Sequence, residues 1–176
     1  MAHDIIIALL TDALFSALAA IGFAVISSPP KRAVATSALL SAIGHSFRYF
    51  LMHVVELDIA SATFFASFLI GSMSFIFANL IHCPNEVFTF PSLLPMVPGL
   101  YAYNMFLSLT KFIRSDNISD NFELIESAVT NGMIAAFVLM ALVLGVSLPV
   151  MLFHKASFKV TRAPKEVFAR FKVKTE

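Results

Sequence analysis

The chain has no tryptophan, one cysteine and few charges: Asp, Glu, Lys and Arg make up only 13% of its 176 residues. The lone cysteine, Cys83, excludes an intrachain disulfide. With no second cysteine and no spaced histidine cluster, a structural zinc site is not expected. A soluble domain carries about 25% charged residues, so an ordinary soluble fold is excluded. Apolar residues fill the gap. They make up 59% of the chain, Phe alone contributes 19, and the mean hydropathy is +0.85. This composition predicts an all-α integral membrane protein with almost no soluble part.

A bilayer core takes about 20 apolar residues per helical crossing. About five transmembrane helices are expected, near Ile5–Ile26, Val34–Val55, Ile59–Ile81, Pro91–Phe112 and Glu126–Phe153. The alternative is four crossings, with residues 88–99 as an interfacial or re-entrant segment. The first stretch is a poor signal peptide, because it lacks a basic start and carries Asp4 instead. Residues 1–154 therefore read as one transmembrane module and 155–176 as a basic tail. From Pro164 the tail either forms a surface helix, with Val167, Phe168 and Phe171 toward lipid, or stays a disordered basic segment.

Charge placement predicts orientation. Lys31 and Arg32 follow the first span, and seven more basic residues lie in the tail, so nine of the twelve Lys and Arg fall on one side of a five-span chain. The segment His53 to Asp58 has Glu56 and Asp58 but no Lys or Arg. By the positive-inside rule the N-terminus lies outside and the C-terminus in the cytoplasm.

Pro91-Ser-Leu-Leu-Pro95-Met-Val-Pro98-Gly99 interrupts this pattern. Each proline removes a donor and clashes with the preceding turn, so an unbroken helix from Pro91 through Gly99 is not expected. Broken helix is tolerated in hydrocarbon only where protein or a wet cavity receives the freed polar groups. Many secondary transporters build substrate sites from such discontinuous spans. A half-helix starting at Pro98 or Gly99 would offer free N–H groups and a positive dipole end to an anion. The competing reading is a hairpin turn at the membrane surface.

Polar residues inside the spans are the other candidates. His45 and Arg48 are three apart and share a helix face. An arginine at a span centre costs roughly 2.5–3.5 kcal/mol on insertion scales, so it should face inward and hold a partner. Arg48 either attracts a substrate carboxylate, with His45 titrating or donating beside it, or forms a structural pair with Asp12. Asp12 is either a proton carrier or that counter-ion. Tyr101 or Tyr103, and Asn104, follow the proline run and could orient a small polar substrate. Asn131 reads as interhelical glue. Ser67 with Gly71, and Ala141 with Gly145, are packing signals. His53, His82 and His154 lie near span ends and are assigned no chemistry. A faint likeness of the Gly44–Arg48 run to membrane lipid phosphatases fails, because their upstream Lys–Arg–Pro element is missing.

Four runs then follow in order: Ile21-Gly-Phe-Ala-Val25, Ala42-Ile-Gly-His-Ser-Phe-Arg48, Ser61-Ala-Thr-Phe-Phe-Ala-Ser67 and Phe90-Pro-Ser-Leu-Leu-Pro-Met-Val-Pro-Gly99. With them the chain resembles the small, YjjB-like subunit of the threonine/serine exporter family, over roughly residues 10–150. The matching positions are Gly44, His45, Arg48, Pro95, Pro98 and Gly99. The resemblance implies an inner-membrane exporter module that works beside a second, larger membrane subunit. It implies small carboxylate substrates: threonine and serine, or dicarboxylates such as succinate. It implies no enzymatic chemistry, cofactor or metal. A different class stays open, a non-transporting membrane scaffold whose polar residues only bind a partner helix.

Overall fold

The computed structural model describes residues 2–115 and 122–152. Among them every regular element is helical: α1 Ala2–Ile26, α2 Lys31–His53, α3 Ile59–Ile81, α4 Glu86–Leu93, a 3₁₀ turn Leu94–Met96, α5 Gly99–Ile113 and α6 Phe122–Leu152. The basic tail, His154 and the acidic part of the 116–121 connection lie outside the described residues.

Local chemistry sets the boundaries. Ser28 adopts a left-handed conformation after α1, and Pro29-Pro30 cannot continue that helix. Asp58 caps α3, its carboxylate accepting from the N–H groups of Ala60 and Ser61 at 3.1 Å each. His82 ends α3 in the left-handed region at φ 54°, and its N–H bonds the Ala78 carbonyl.

Packing runs from α1 to α2, α2 to α3, α3 to α6 and α6 to α5, while α4 rests on α2 and also meets α1 and α3. The core lies where α2, α3 and the interrupted segment meet. Leu40, Ile70, Phe88 and Met96 are all but inaccessible there. α6 buries Ala128 and, seven residues on, Ala135, Val138, Leu142, Gly145 and Pro149, a narrow seam spaced by threes and fours from Ala135 onward. Its other faces expose Phe137, Met140, Leu144 and Met151. Such a helix, apolar on its outer side, suits a lipid surround.

The small residues do bring α3 and α6 together. Ser67 Oγ donates to the Ala141 carbonyl at 3.3 Å. A Cβ at Gly145 would overlap Ser67 Oγ, and one at Gly71 would lie 3.1 Å from the Val146 carbonyl oxygen. Close backbone approach of this kind is how helices pack in membranes.

Among the described residues three helices are long and apolar enough to cross a bilayer: α1 from His3, α3 and α6. The other two expected spans differ for distinct reasons. α2 has the length, at 23 residues, but carries the polar stripe Ser37, Ser41, His45 and Arg48. The fourth is not one helix. Pro91, expected to break it, lies buried inside α4, and the interruption comes later, at residues 94–98. Because α4 starts at Glu86, Pro91 forfeits only the bond its N–H would make to Val87, a tolerable loss in a packed eight-residue helix. Pro95 then sits in the first turn of the 3₁₀ element, and Pro98 caps α5. α5 has 15 residues, about 22 Å of helix, short of a hydrocarbon core of about 30 Å.

Candidate functional site

α1 and α2 are antiparallel neighbours locked by serines. Ser41 Oγ donates to the Ser16 carbonyl at 3.1 Å, and Ser16 Oγ reaches the Ser41 carbonyl at 3.4 Å. Ser46 Oγ donates to the Leu9 carbonyl at 3.3 Å. Asp12 lies between these two ties, ten residues or about 15 Å into α1. Opposite it stands His45, with Nδ1 2.5 Å from Asp12 Oδ2. The side chains are 15% and 23% exposed. One turn on, Arg48 Nη2 lies 3.0 Å from His45 Nε2, and Arg48 Nη1 donates to the Met96 carbonyl at 3.2 Å.

These contacts form a chain from α1 through α2 to the helix interruption. Its protonation follows from donor counting. A guanidinium has five N–H donors and no acceptor, so His45 Nε2 must accept. His45 is therefore neutral with its proton on Nδ1, donated to the Asp12 carboxylate. Asp12 and Arg48 do not pair directly, as one reading of the sequence had them. The Asp12 carboxylate is met by His45, which stands between it and the Arg48 guanidinium. Arg48 uses one donor on each terminal nitrogen, which leaves three, enough for a two-pronged carboxylate contact.

The interruption supplies a carbonyl. In a continuous helix the Met96 carbonyl would take the N–H of Leu100. Here the chain turns instead, with Val97 N–H on the Leu94 carbonyl and Gly99 N–H on the Val97 carbonyl at 2.8 Å. Met96 is 1% exposed, so its carbonyl needs a buried donor, and Arg48 provides one. Gly44 leaves room for the Ile70 and Met96 side chains against α2: a Cβ there would press on Ile70 and lie 3.1 Å from Met96 Cε.

The expected anion cradle is only partly present. The Gly99 N–H is already bonded, and Arg48 addresses the Met96 carbonyl rather than the start of α5. The N–H groups of Leu100 and Tyr101 make no backbone bond among the described residues. Gly99 is exposed, and a Cβ there would meet nothing within 4 Å. Tyr101 lies half-buried in the first turn of α5. Asn104, half-buried, shares its helix face by the three-residue spacing. Tyr103 is 62% exposed and points elsewhere.

Other polar residues fall outside this group. Asn131 Nδ2 bonds the Ser127 carbonyl at 2.7 Å, and Ser108 Oγ of α5 meets Ser127 Oγ at 3.2 Å, tying α5 to α6. His53 stacks on Tyr49 and bonds its carbonyl at the end of α2. Thr11, beside Asp12, turns its hydroxyl back to the Ile7 and Ala8 carbonyls. Sequence reasoning missed the paired serines and the Met96 carbonyl. The spacing of Ser37, Ser41, His45 and Arg48 could have signalled the first. A backbone acceptor leaves no trace in side-chain identity.

Apolar helices around a half-buried, charged, hydrogen-bonded chain at a broken helix define a polytopic helical membrane protein. The described helices carry a family signature over nearly their whole extent: residues 12–152 match that of the threonine/serine exporter, ThrE. The chain belongs to this exporter family. It is also 35% identical over 147 residues to an uncharacterized protein of Haemophilus influenzae, covering 84% of this chain and 48% of that one. The chain thus spans about half the length of that relative. No solved structure matches it.

Proposed function

We propose that this chain is the membrane module of a secondary exporter of small carboxylate metabolites, threonine- and serine-type amino acids or dicarboxylates such as succinate. The observation that carries this reading is Arg48. It is held at a helix interruption by His45 and the Met96 carbonyl, with three donors still free for a carboxylate. Tyr101 and Asn104 then lie on the face of α5 from which a substrate's remaining polar groups would be met. Gly99, with open space at its α-carbon and two free N–H groups following it, is the nearest backbone donor region.

Transport in this reading requires a second, larger membrane subunit of the same family, on its own chain or fused. The half of the Haemophilus relative that this chain does not match leaves room for such a module. The protein sits in the cell inner membrane and crosses it five times, α2 and the α4–α5 pair completing the crossings inside the assembly. The N-terminus is outside and the basic tail cytoplasmic.

The test is efflux from proteoliposomes preloaded with labelled threonine, serine or succinate. They hold this chain, the larger subunit, or both. Efflux should need both subunits and should vanish in Arg48→Gln although the pair still assembles. Unchanged efflux by an assembled Arg48→Gln pair would remove Arg48 from the substrate path. An intact pair that moves none of the three would favour the scaffold role.

A further inference from the structure

α6 is longer than the bundle it joins. Ala60, Ser61, Phe64 and Phe65 of α3 line one groove with Phe137 and Ala141 of α6, and a Cβ on Gly71 would touch Val146 and Pro149. The two helices therefore run parallel over about three turns, with the start of α3 level with Phe137. α6 begins well before that, at Phe122, so about 22 Å of it lies beyond α3. α5 lies antiparallel along this overhang: Met105 sits over Gly132, and Ser108 meets Ser127. Among the described residues α6 is the packing partner of α5. Gly44 faces Ile70, and Ser46 is tied to Leu9, so α2 ends and α1 starts near the start of α3. α4 and the interruption bring the chain to that level, and α5 continues past it. The α5–α6 hairpin is thus an arm that stands clear of the other helices.

Charged collars mark where the bilayer lies. Lys31 and Arg32 are exposed at one end of the α1–α3 bundle, and Asp4, Glu56 and Asp58 at the other. α3, at 23 residues, spans about 35 Å between them, a full hydrocarbon core. Headgroups add only about 5–7 Å on each side, far less than the arm. The arm therefore leaves the lipid, yet its surface is apolar. Phe106 is 63% and Phe122 70% exposed, beside Leu100, Ile113, Val129 and Met133. Water does not suit a patch of this kind, which marks a protein contact.

We propose that a second copy of this chain covers the arm, the two arms joining as a four-helix bundle outside the bilayer. An antiparallel helix pair is half of such a bundle. Its unpartnered faces carry the needed spacing: Tyr103, Phe106, Thr110 and Ile113 along α5, and Phe122, Val129 and Met133 along α6, recur at threes, fours and a seven. Copies inserted in one membrane share an orientation, so a two-fold axis relating them runs along the membrane normal. That operation sets α5 of each copy beside α6 of the other, antiparallel, in up-down order. It also brings charges together. Lys111 and Arg114 end α5, Glu123 and Glu126 open α6, and all four are exposed. The axis puts the basic pair of each copy level with the acidic pair of the other, complementary on both flanks. The pairing is independent of which substrate the exporter carries.

Cross-linking in native membranes tests this, with the full chain and the larger subunit both present. Two differently tagged copies, each with Cys83→Ser, carry one new cysteine apiece: Tyr103→Cys in one and Met133→Cys in the other. A short bismaleimide should join them into a doubly tagged dimer. Leu10→Cys paired with Ile76→Cys, exposed on α1 and α3, should give none. Adding Lys111→Glu and Arg114→Glu to both copies should cut the yield severalfold. Placing those two changes in one copy, and Glu123→Lys with Glu126→Lys in the other, should restore it, because only the contacts between copies are then complementary. Absence of the doubly tagged dimer would overturn the proposal, and so would equal yield from the control pair, which would show collision alone. Capture of the larger subunit by the arm cysteines in place of the second copy would overturn it and assign the arm to that subunit. A yield indifferent to the charge changes would overturn the side-by-side arrangement.

Discussion

Replacing Gly145 by alanine should push α6 away from α3. A Cβ at this position would overlap Ser67 Oγ, lie 2.6 Å from the Phe64 carbonyl oxygen and 3.1 Å from Ser67 Cβ. A hydroxyl can rotate away; a backbone oxygen cannot. Overpacking a close contact costs about 1–3 kcal/mol. Loss of the Ser67 bond to the Ala141 carbonyl adds about 0.6 kcal/mol on the bilayer average. The better helix propensity of alanine returns at most about 1 kcal/mol. The net is a loss of roughly 0.5–2.5 kcal/mol on these figures. Gly22→Ala on α1 is the control, because a Cβ there meets nothing within 4 Å and only the propensity gain applies. Unfolding of both variants by titrated denaturing detergent should place them on opposite sides of wild type. Ser67→Gly should rescue Gly145→Ala in part, since it removes the hydroxyl and Cβ but leaves the Phe64 carbonyl. Equal stability of Gly145→Ala and Gly22→Ala would refute the close α3–α6 approach.

Further outcomes follow from the same geometry. Arg48→Lys should keep only part of the efflux, because lysine lacks the planar fork; the double change Asp12→Asn with Arg48→Gln should not restore it, and restoration would demote Arg48 to a structural counter-ion. Asp58→Ala should cost about 0.5–2 kcal/mol at neutral pH through the lost α3 cap. Hydrogen bonds from the Ser61 side chain, then from the backbone N–H groups of Ser61 and Ala60, hold the Asp58 carboxyl below its ordinary range. Its contribution is therefore present above the unfolded-state value and lost as pH falls through the folded one, so wild type and variant should converge in acid unfolding series. A reporter fused after residue 30 should read cytoplasmic, and a periplasmic signal there would break the five-crossing arrangement.

Much of the fold could be read from hydrophobic length. α3 runs from Ile59 to Ile81, as expected, because an acidic cap precedes its apolar run and nothing interrupts it. α6 begins at Phe122, a turn before the expected Glu126, since Glu123 and Glu126 interrupt the apolar run yet suit a helix N-terminus. α4 was illegible for a sharper reason. The rule that proline ends helices weighs a cost, and burial of Phe88, Pro91 and Ser92 outweighs one missing bond. At the site, the three-residue spacing was enough to put His45 and Arg48 on one face. The order of the chain was not legible. Asp12 and His45 are 33 residues apart, and nothing in their identities says which of His45 and Arg48 reaches the carboxylate.

The two readings of the proline run differ in where its freed carbonyl goes. In a hairpin at the membrane surface, water would take the Met96 carbonyl, and the residue would be accessible. Met96 is instead buried in the core formed by Leu40, Ile70 and Phe88, and its carbonyl receives a guanidinium from α2. The dependence runs both ways. Without Arg48 the Met96 carbonyl has no donor in an apolar surround, and without the interruption that carbonyl would be consumed by Leu100 within the helix. Each therefore satisfies a polar group that the other strands, the condition under which broken helix is tolerated at membrane depth.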